Sequence, residues 1–597
     1  MTDYNAPTRD MQFVMQELLD LNAISELPGF EEATPELVDA VLEEAAKFAG
    51  GVLAPLNKPG DAAGVRWDDG RITTPDGFPD AYQQYVEAGW NGLPCPEEYG
   101  GQGLPEFVAT ATQEMWQAAN MSFALGPMLT AGAIEALHAH GSETQKETYL
   151  HKLVSGEWSG TMNLTEPQAG SDLAAVRCRA APEGDHYLVQ GQKIYITWGE
   201  HDCAANIIHL VLARTPDAPE GVKGISLFIV PKFLPDAGGN PGEPNDLRCV
   251  NTEHKIGIHA SPTCTMSYGD NGGAVGYLVG EEGKGLMYMF TMMNEARHKV
   301  GVQGLSIADR AYQQARWYAA ERIQGMPAGH SGAEKVNILH HPDVKRMMLT
   351  MRAQIEAMRA LCYSASWSMD MSRRHPDADE RIRHQARVDL LIPIVKGWCT
   401  EVGQELASLG IQVQGGMGYV EETGAGQHYR DARITTIYEG TTGIQANDLI
   451  GRKTYRDGGK AMHTMIAEME GLTAELNDSA DSGIRALHEP LTTGIHALRE
   501  AAQYVATNHG EHPAATAAGA VPYLMMAGYV CGGALMARSA LVARRALDNG
   551  SSEQAFYEAK LVTARFYAQH ILPKAAALLP AVLAGDDAVG AMQVEWF

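Results

Sequence analysis

The sequence predicts an α+β chain of several domains, ordered α, β, α, α, and three observations predict it. A chain of 597 residues exceeds what one hydrophobic core serves, and ordinary domain sizes call for about three or four domains. Apolar residues recur at helical spacing toward both ends. Between them stand short runs rich in β-branched and aromatic residues, bounded by Gly, Pro and Asp.

Taken in order, the first 157 residues read as helical. Met11, Val14, Met15 and Leu18 fall at i, i+3, i+4 and i+7, and Val38, Val41, Leu42 and Ala45 repeat that spacing. The turn cluster "LPCPEEYGGQGLPE" (93–106) separates helices. From 158 to 284 the period becomes that of strands: "HYLVQGQKIYITW" (186–198), "NIIHLVLART" (206–215) and "GISLFIVPKF" (224–233) predict an antiparallel β domain, with "LPDAGGNPGEPNDL" (234–247) as a surface loop. Long helices return over 285–455. There Val344, Met347, Met348, Met351, Ile355 and Met358 share one face, and this Met-rich stripe reads as core packing. "RDGGK" (456–460) reads as a linker into a last helical block, 456–597.

Charge excludes one class of partner. With 46 Lys+Arg against 73 Asp+Glu the net charge is −27, which disfavours binding to nucleic acid. The eight cysteines are scattered without a C-x-x-C pair and read as reduced thiols of a cytoplasmic protein. The N-terminal stretch lacks the apolar core and cleavage site of a signal peptide. Residues 514–537 carry no charge and are long enough to cross a membrane, yet they are rich in Ala and Gly and interrupted by Pro522. A buried helix is expected there, with no stable membrane insertion. His340-His341 and His509/His512 lack a third ligand at helical spacing, so no metal site is expected. No G-x-G-x-x-G follows a strand, and no P-loop, H-E-x-x-H or G-x-S-x-G is present.

Four short stretches can carry chemistry. In "RITTIYEGTTGIQ" (433–445), Glu439 has no cationic residue beside it in the sequence. Such a carboxylate either faces solvent or sits in a dry pocket where its pKa rises and it can act as a base. The loop "MNLTEPQAGSDLAAV" (162–176) holds Gly170 and the hydroxyls of Thr165 and Ser171, a set that can donate to a ring carbonyl or a phosphate and that equally suits a plain β-turn. "KIYITWG" sets Tyr195 and Thr197 on one strand face, which suits a flat heterocycle and also an ordinary half-buried strand. In "GIQVQGGMGYVEE" (410–422), Gly415, Gly416 and Gly418 fit either close backbone approach to an adenylate or pyrophosphate, or a helix C-cap.

The ordered set "EEYGGQGLP", "LTEPQAGSD", "KIYITWG", "GIHASPTC", "QVQGGMGYVEE" and "RDARITTIYEGTTGIQ" resembles the acyl-CoA dehydrogenase flavoprotein family over residues 35–455. The opening "DYNAPTRDMQFVM" and the block after 456 resemble its long bacterial branch, which includes fatty acyl-CoA and 3-methylthiopropanoyl-CoA dehydrogenases. The resemblance implies an N-terminal helical domain (1–157), a middle β domain (158–284), a C-terminal four-helix bundle with the catalytic Glu (285–455) and an additional C-terminal helical domain (456–597). It further implies FAD bound between the β domain and the bundle. Met162, Leu164, Thr165, Gly170 and Ser171 would edge the flavin, Tyr195 and Thr197 would cover its ring, and Thr441 would also contact the cofactor. Arg322, Gln324, Gln414, Gly415 and Gly416 of a neighbouring subunit would hold the adenine half. Ser171, Asn294, Arg297 and Gly440 would contact the acyl-CoA.

Three positions depart from the family pattern. Tyr195 stands where many relatives have Trp, Asn294 where Asp is common, and "TTG" follows the Glu where shorter relatives read "TSQ". By the same resemblance Glu439 is the base that removes the α-proton of a saturated acyl-CoA while the β-hydrogen leaves as hydride to the flavin. Its own backbone N–H and a ribityl hydroxyl would stabilise the enolate. An electron-transfer flavoprotein would take the electrons. The added C-terminal domain would leave a homodimer by covering the face that pairs dimers in shorter relatives. An acyl-CoA oxidase passing electrons to O₂ is the alternative within the same chemistry. A non-catalytic or DNA-associated relative is the alternative outside it.

Overall fold

The computed structural model describes residues 4–329, 332 and 334–597. Contacts divide the chain into two compact units, one of Met1–Ala46, Thr110–Glu114 and Val300–Phe597, the other of Lys47–Ala109 and Met115–Lys299.

In the second unit helices precede a sheet. Helix α1 (Glu106–His140), whose residues Thr110–Glu114 belong to the first unit, is followed by α2 (Glu143–Ser155). A reciprocal cap starts α2: Ser142 Oγ accepts from the Gln145 N–H, and Gln145 Oε1 accepts from the Ser142 N–H. The eight-stranded sheet consists of β1 (Trp158–Asn163), β2 (Arg179–Glu183), β3 (His186–Thr197), β4 (Asn206–Ala213), β5 (Ser226–Pro231), β6 (Leu247–Thr252), β7 (Thr263–Tyr268) and β8 (Ala274–Leu278). Its order is β6-β7-β3-β8-β5-β4-β1, with β2 also paired to β3.

The pairings are antiparallel except one. β1 runs parallel to β4, from Trp158 beside Asn206 to Asn163 beside Val211. Both strands are buried at every position, which is the setting parallel pairs require. The stretch 234–247, read above as a loop, instead contains a small hairpin, Phe233–Pro235 against Pro241–Pro244. A run of Gly and Pro hides edge pairing of this kind from sequence periodicity.

The first unit is helical. It holds the second half of α3 (Gly285–Glu321), then α4 (Pro342–Arg374), α5 (Ala378–Gln414), α6 (Ala425–Ala432), α7 (Thr442–Asp448), α8 (Lys460–Asp478), α9 (His488–Asn508), α10 (Ala520–Asp548), α11 (Gln554–Phe566) and α12 (Pro573–Leu583). The Met-rich stripe of α4 is core, with Met347, Met348, Met351, Ile355 and Met358 all buried. Arg359 on the same helix is buried too and forks onto Glu114, Nε and Nη2 reaching Oε1 at 2.9 and 2.7 Å, while the Tyr363 hydroxyl donates to the other oxygen at 2.7 Å.

The uncharged stretch ends in α10, which is long and apolar enough to cross a membrane, and 78% of its most apolar window lies buried inside the protein. Pro522 does not interrupt this helix. It sits in the first turn, where its missing N–H has no helical partner to lose. The opening segment packs on the added C-terminal helices: Arg9 bonds Glu553 and Tyr557, Lys560 pairs with Asp10 at 2.5 Å, and Phe13 meets Phe556 edge-on.

Candidate active site

The candidate site residues fall into two groups, one in each unit, and the β group is built around a buried ion pair. Glu166 and Lys193 are 3% and 0% exposed and their charged atoms lie 2.8 Å apart. Glu166 also accepts from the main-chain N–H groups of Cys178 (3.0 Å) and Arg177 (2.7 Å) and from the Gln168 amide (2.6 Å). Burial pushes the Glu166 carboxyl up, but the Lys193 ammonium and these donors outweigh it and hold it below the usual carboxylate range.

The same ammonium donates to the Leu164 carbonyl at 2.9 Å, and the Ile194 N–H bonds the Thr165 carbonyl. The loop that follows β1 is therefore stitched to β3. Met162 is nearly buried, Leu164 and Thr165 are half-buried, and Gly170 and Ser171 are exposed. A Cβ added at Gly170 would meet nothing within 4 Å, so its backbone is open to an approaching group.

A bulge in β3 aims Tyr195. Pairing with β7 jumps from Ile196 opposite Cys264 to Lys193 opposite Met266, leaving two residues on one strand against one on the other. The consequence is a change of phase: Lys193 and Ile196 both point inward, while Tyr195 is 59% exposed and Thr197 half-buried. Tyr195 takes a φ of +59°, a conformation that costs a bulky residue about 1–3 kcal/mol and tends to mark functional positions.

Glu439 lies in the helical unit. The residues before it form a short 3₁₀ turn, Arg433–Thr436, and α7 starts just after it with Thr441 as N-cap, its hydroxyl accepting from the Ile444 N–H. Glu439 itself has φ +55° and Gly440 φ +92°. A side chain at Gly440 would collide with Gln445 Nε2 at 2.7 Å. That amide donates to the carbonyls of Glu439 (3.1 Å) and Gly440 (3.3 Å), and Lys396 Nζ, from the middle of α5, donates to the Gly440 carbonyl at 2.6 Å. Around them Tyr438 donates to Gln303, and Thr442 donates to Glu401 at 2.5 Å. Burial, with Glu439 alongside, pushes the Tyr438 phenol up.

Lys396, Gln445 and Glu166 are residues that sequence reading missed. Lys396, 43 residues upstream of Glu439, reaches the carbonyl of the residue that follows it. Arg433 bonds Thr436.

The other expected residues take varied positions. Gln414 is buried at the end of α5, its amide turned back onto the Gly410 carbonyl. Gly415 caps the helix with φ +59°, so the cap reading of the glycine cluster holds, and Gly415 and Gly416 are both exposed. Arg322 and Gln324 are exposed beyond α3, where the Gln324 main chain pairs with Val336. Asn294 and Arg297, one turn apart in the part of α3 that belongs to the β unit, are exposed and buried respectively, with Arg297 beside the Phe290 ring. Among the described residues no group of three or more His, Cys, Asp or Glu is placed to hold a metal ion.

Comparison with known proteins places these features in a family. Four consecutive stretches match domain profiles: the acyl-CoA dehydrogenase N-terminal domain at 36–157, its middle domain at 161–270, its C-terminal domain at 283–453, and the acetyl-CoA dehydrogenase C-terminal-like domain at 462–593. The chain is 48% identical to the 3-methylmercaptopropionyl-CoA dehydrogenase of Ruegeria pomeroyi, over 96% of this chain and 97% of that one. It is 33% identical to a butyryl-CoA dehydrogenase of Syntrophomonas wolfei over 100% and 99% of the two chains. The fold is shared with an acyl-CoA dehydrogenase of Bacillus anthracis solved in complex with FAD, at a TM-score of 0.75, 22% identity, and 94% and 90% coverage. Similarity of this extent over the whole length shows that the chain belongs to the acyl-CoA dehydrogenase family of enzymes.

Proposed function

We propose that the protein converts a saturated short-chain acyl-CoA thioester to the trans-2-enoyl-CoA with FAD, Glu439 acting as base, and that 3-methylthiopropanoyl-CoA is the first substrate to test. The observation that carries this reading is the turn at Glu439, a strained carboxylate position whose main chain is gripped on both neighbouring carbonyls. The relatives named for 3-methylmercaptopropionyl-CoA and butyryl-CoA, matched over nearly their whole lengths, support the substrate class.

The residues present fit FAD. Tyr195 offers an exposed ring on a strand bent to aim it, Thr197 supplies a hydroxyl beside it, and the Gly170–Ser171 backbone is open to an approaching polar group. When bound, the flavin accepts the β-hydrogen as hydride. Glu439 takes the α-proton onto its carboxylate, the electrons of that C–H bond form the new C=C bond, and Gly440 is assigned to the thioester. Arg297 and Asn294 are assigned to the CoA moiety. Arg322, Gln324, Gln414, Gly415 and Gly416 are assigned to the adenine end of a neighbouring subunit's cofactor, with Thr441 as the turn's own contact.

The exposed Ile323, Met326, Met417 and Tyr419 support an interface between two copies of the chain, as expected of a homodimer. In this reading residues 158–284 serve the flavin, 285–455 carry the base, and 456–597 cover the bundle. An electron-transfer flavoprotein takes the electrons.

A panel of acyl-CoA thioesters differing in length and branching, mixed anaerobically with the yellow protein, tests the proposal. Short straight chains, 3-methylthiopropanoyl-CoA included, should bleach the flavin fastest. A folded, colourless protein that FAD does not reconstitute would overturn it, and stoichiometric H₂O₂ in air would replace the dehydrogenase by an oxidase.

A further inference from the structure

Resting on Glu439 as the base, we propose that Lys396 is a positioning residue for the reaction: its buried ammonium locks the main chain that carries the carboxylate.

Lysine is almost never fully buried without a partner, yet Lys396 is 0% exposed, on a stretch of α5 where Ile394, Val395, Trp398 and Cys399 are buried as well. Helix stability does not call for a charge at that position. What the ammonium reaches is the Gly440 carbonyl at 2.6 Å, a charge-assisted bond onto the peptide group that follows Glu439. Gln445 is a second, neutral strut to the same carbonyl and to that of Glu439, and it too is fully buried.

Both residues between these struts sit in the left-handed region, φ +55° for Glu439 and +92° for Gly440. A glutamate holds such a conformation only where its surroundings impose it. With the grip released, Glu439 returns to ordinary φ and its carboxylate swings away from its present direction.

The other ionisable groups around the turn are Glu401 on α5, which accepts from Thr442, the Tyr438 phenol, and Asp431 and Arg433 upstream. Gln303 on α3 is neutral. Lys396 is therefore the cation from the facing helix whose bond onto this turn can be removed by a single substitution.

The test uses the full-length holoenzyme carrying Lys396→Met or Lys396→Arg. FAD content, acyl-CoA binding from the flavin spectral shift, and the rate of anaerobic flavin reduction are measured for each. Lys396→Met should keep FAD and bind acyl-CoA within about threefold of wild type, and reduce its flavin at least about tenfold more slowly at pH 7. Lys396→Arg should restore most of the rate. A crystal structure of Lys396→Met should show Glu439 out of the left-handed region.

A reduction rate within twofold of wild type, or rate, FAD and binding all lost together, would overturn the proposal, as would an unchanged φ at Glu439. If Lys396→Met does not fold, Gln445→Met decides: it removes the neutral strut and should slow reduction with FAD retained, and an unchanged rate would overturn the proposal. Glu439→Gln, with Lys396 intact, separates the two claims, since flavin bleaching in that variant would defeat the assignment of the base and not the grip on the turn.

Discussion

Two carboxylates anchor the two candidate site segments, and they are used in opposite ways. Glu166 is itself the fastener: it draws in Lys193, two main-chain N–H groups and the Gln168 amide, and so ties the loop after β1 to β3. At Glu439 the fasteners take hold of the main chain on either side of the carboxylate, Lys396 and Gln445 binding the carbonyls of residues 439 and 440. A carboxylate that pins a loop is drawn into a low-pKa ion pair and is a poor base. One whose backbone is pinned instead has its direction set through the main chain. With Glu439 as the proposed base, the contrast is between a carboxylate whose own oxygens fasten a loop and one whose main chain is held on both carbonyls.

The largest effect expected from this contrast is on rate. Glu439→Gln preserves volume and the main-chain grip while removing the proton acceptor, so flavin reduction should fall by about 10²- to 10⁴-fold or more with FAD content and acyl-CoA binding retained. Anaerobic stopped-flow absorbance measures it.

Glu166→Gln should do the converse. It leaves the Lys193 ammonium buried without its counter-charge, which costs about 3–5 kcal/mol, so the thermal midpoint should drop and FAD retention with it. Because the folded pKa of Glu166 lies below its unfolded one, the stability from this carboxylate is fully present above the ordinary carboxylate pKa and is lost as pH falls through the folded value. Wild-type thermal midpoints should hold from pH 7 to about 5 and fall below that, and the variant should lose the part of the fall that Glu166 causes. An equal acid slope in both would contradict the role given to the pair.

A smaller effect is expected at Tyr195. Tyr195→Gly removes the strain of the left-handed φ and also the exposed ring. The apoprotein should therefore change by no more than about 1 kcal/mol in stability, while FAD affinity drops about tenfold. Calorimetry of the apoprotein and FAD titration by fluorescence check the two halves separately.

Much of this was legible in the sequence where the signal is local. The helix stripes of α4, the strand runs of β3 to β5 and the cap that was one of two readings at Gly415 each follow from neighbours within a few positions. Contacts between distant residues were not legible. Glu166 meets Lys193 across 27 positions, Lys396 meets Gly440 across 44, and Arg9 meets Glu553 across 544. No periodicity encodes them, because each depends on how finished elements dock. The bulge at Tyr195 escaped for another reason: strand alternation assumes an unbroken ladder, and one extra residue shifts the phase of every side chain beyond it. The parallel pairing of β1 with β4 was hidden in the same way, since a fully buried strand looks alike in either direction.

The central claim, that Glu439 moves the α-proton, is tested most directly by hydrogen exchange uncoupled from hydride transfer. An acyl-CoA analogue with sulfur at the β-position, which has no β-hydrogen to lose, is incubated with the FAD-loaded protein in D₂O and its α-carbon followed by mass spectrometry. Wild type should incorporate deuterium at the α-carbon, and Glu439→Gln should incorporate it at least about 10²-fold more slowly. Equal incorporation by the two proteins would show that another group removes the proton and would contradict the account.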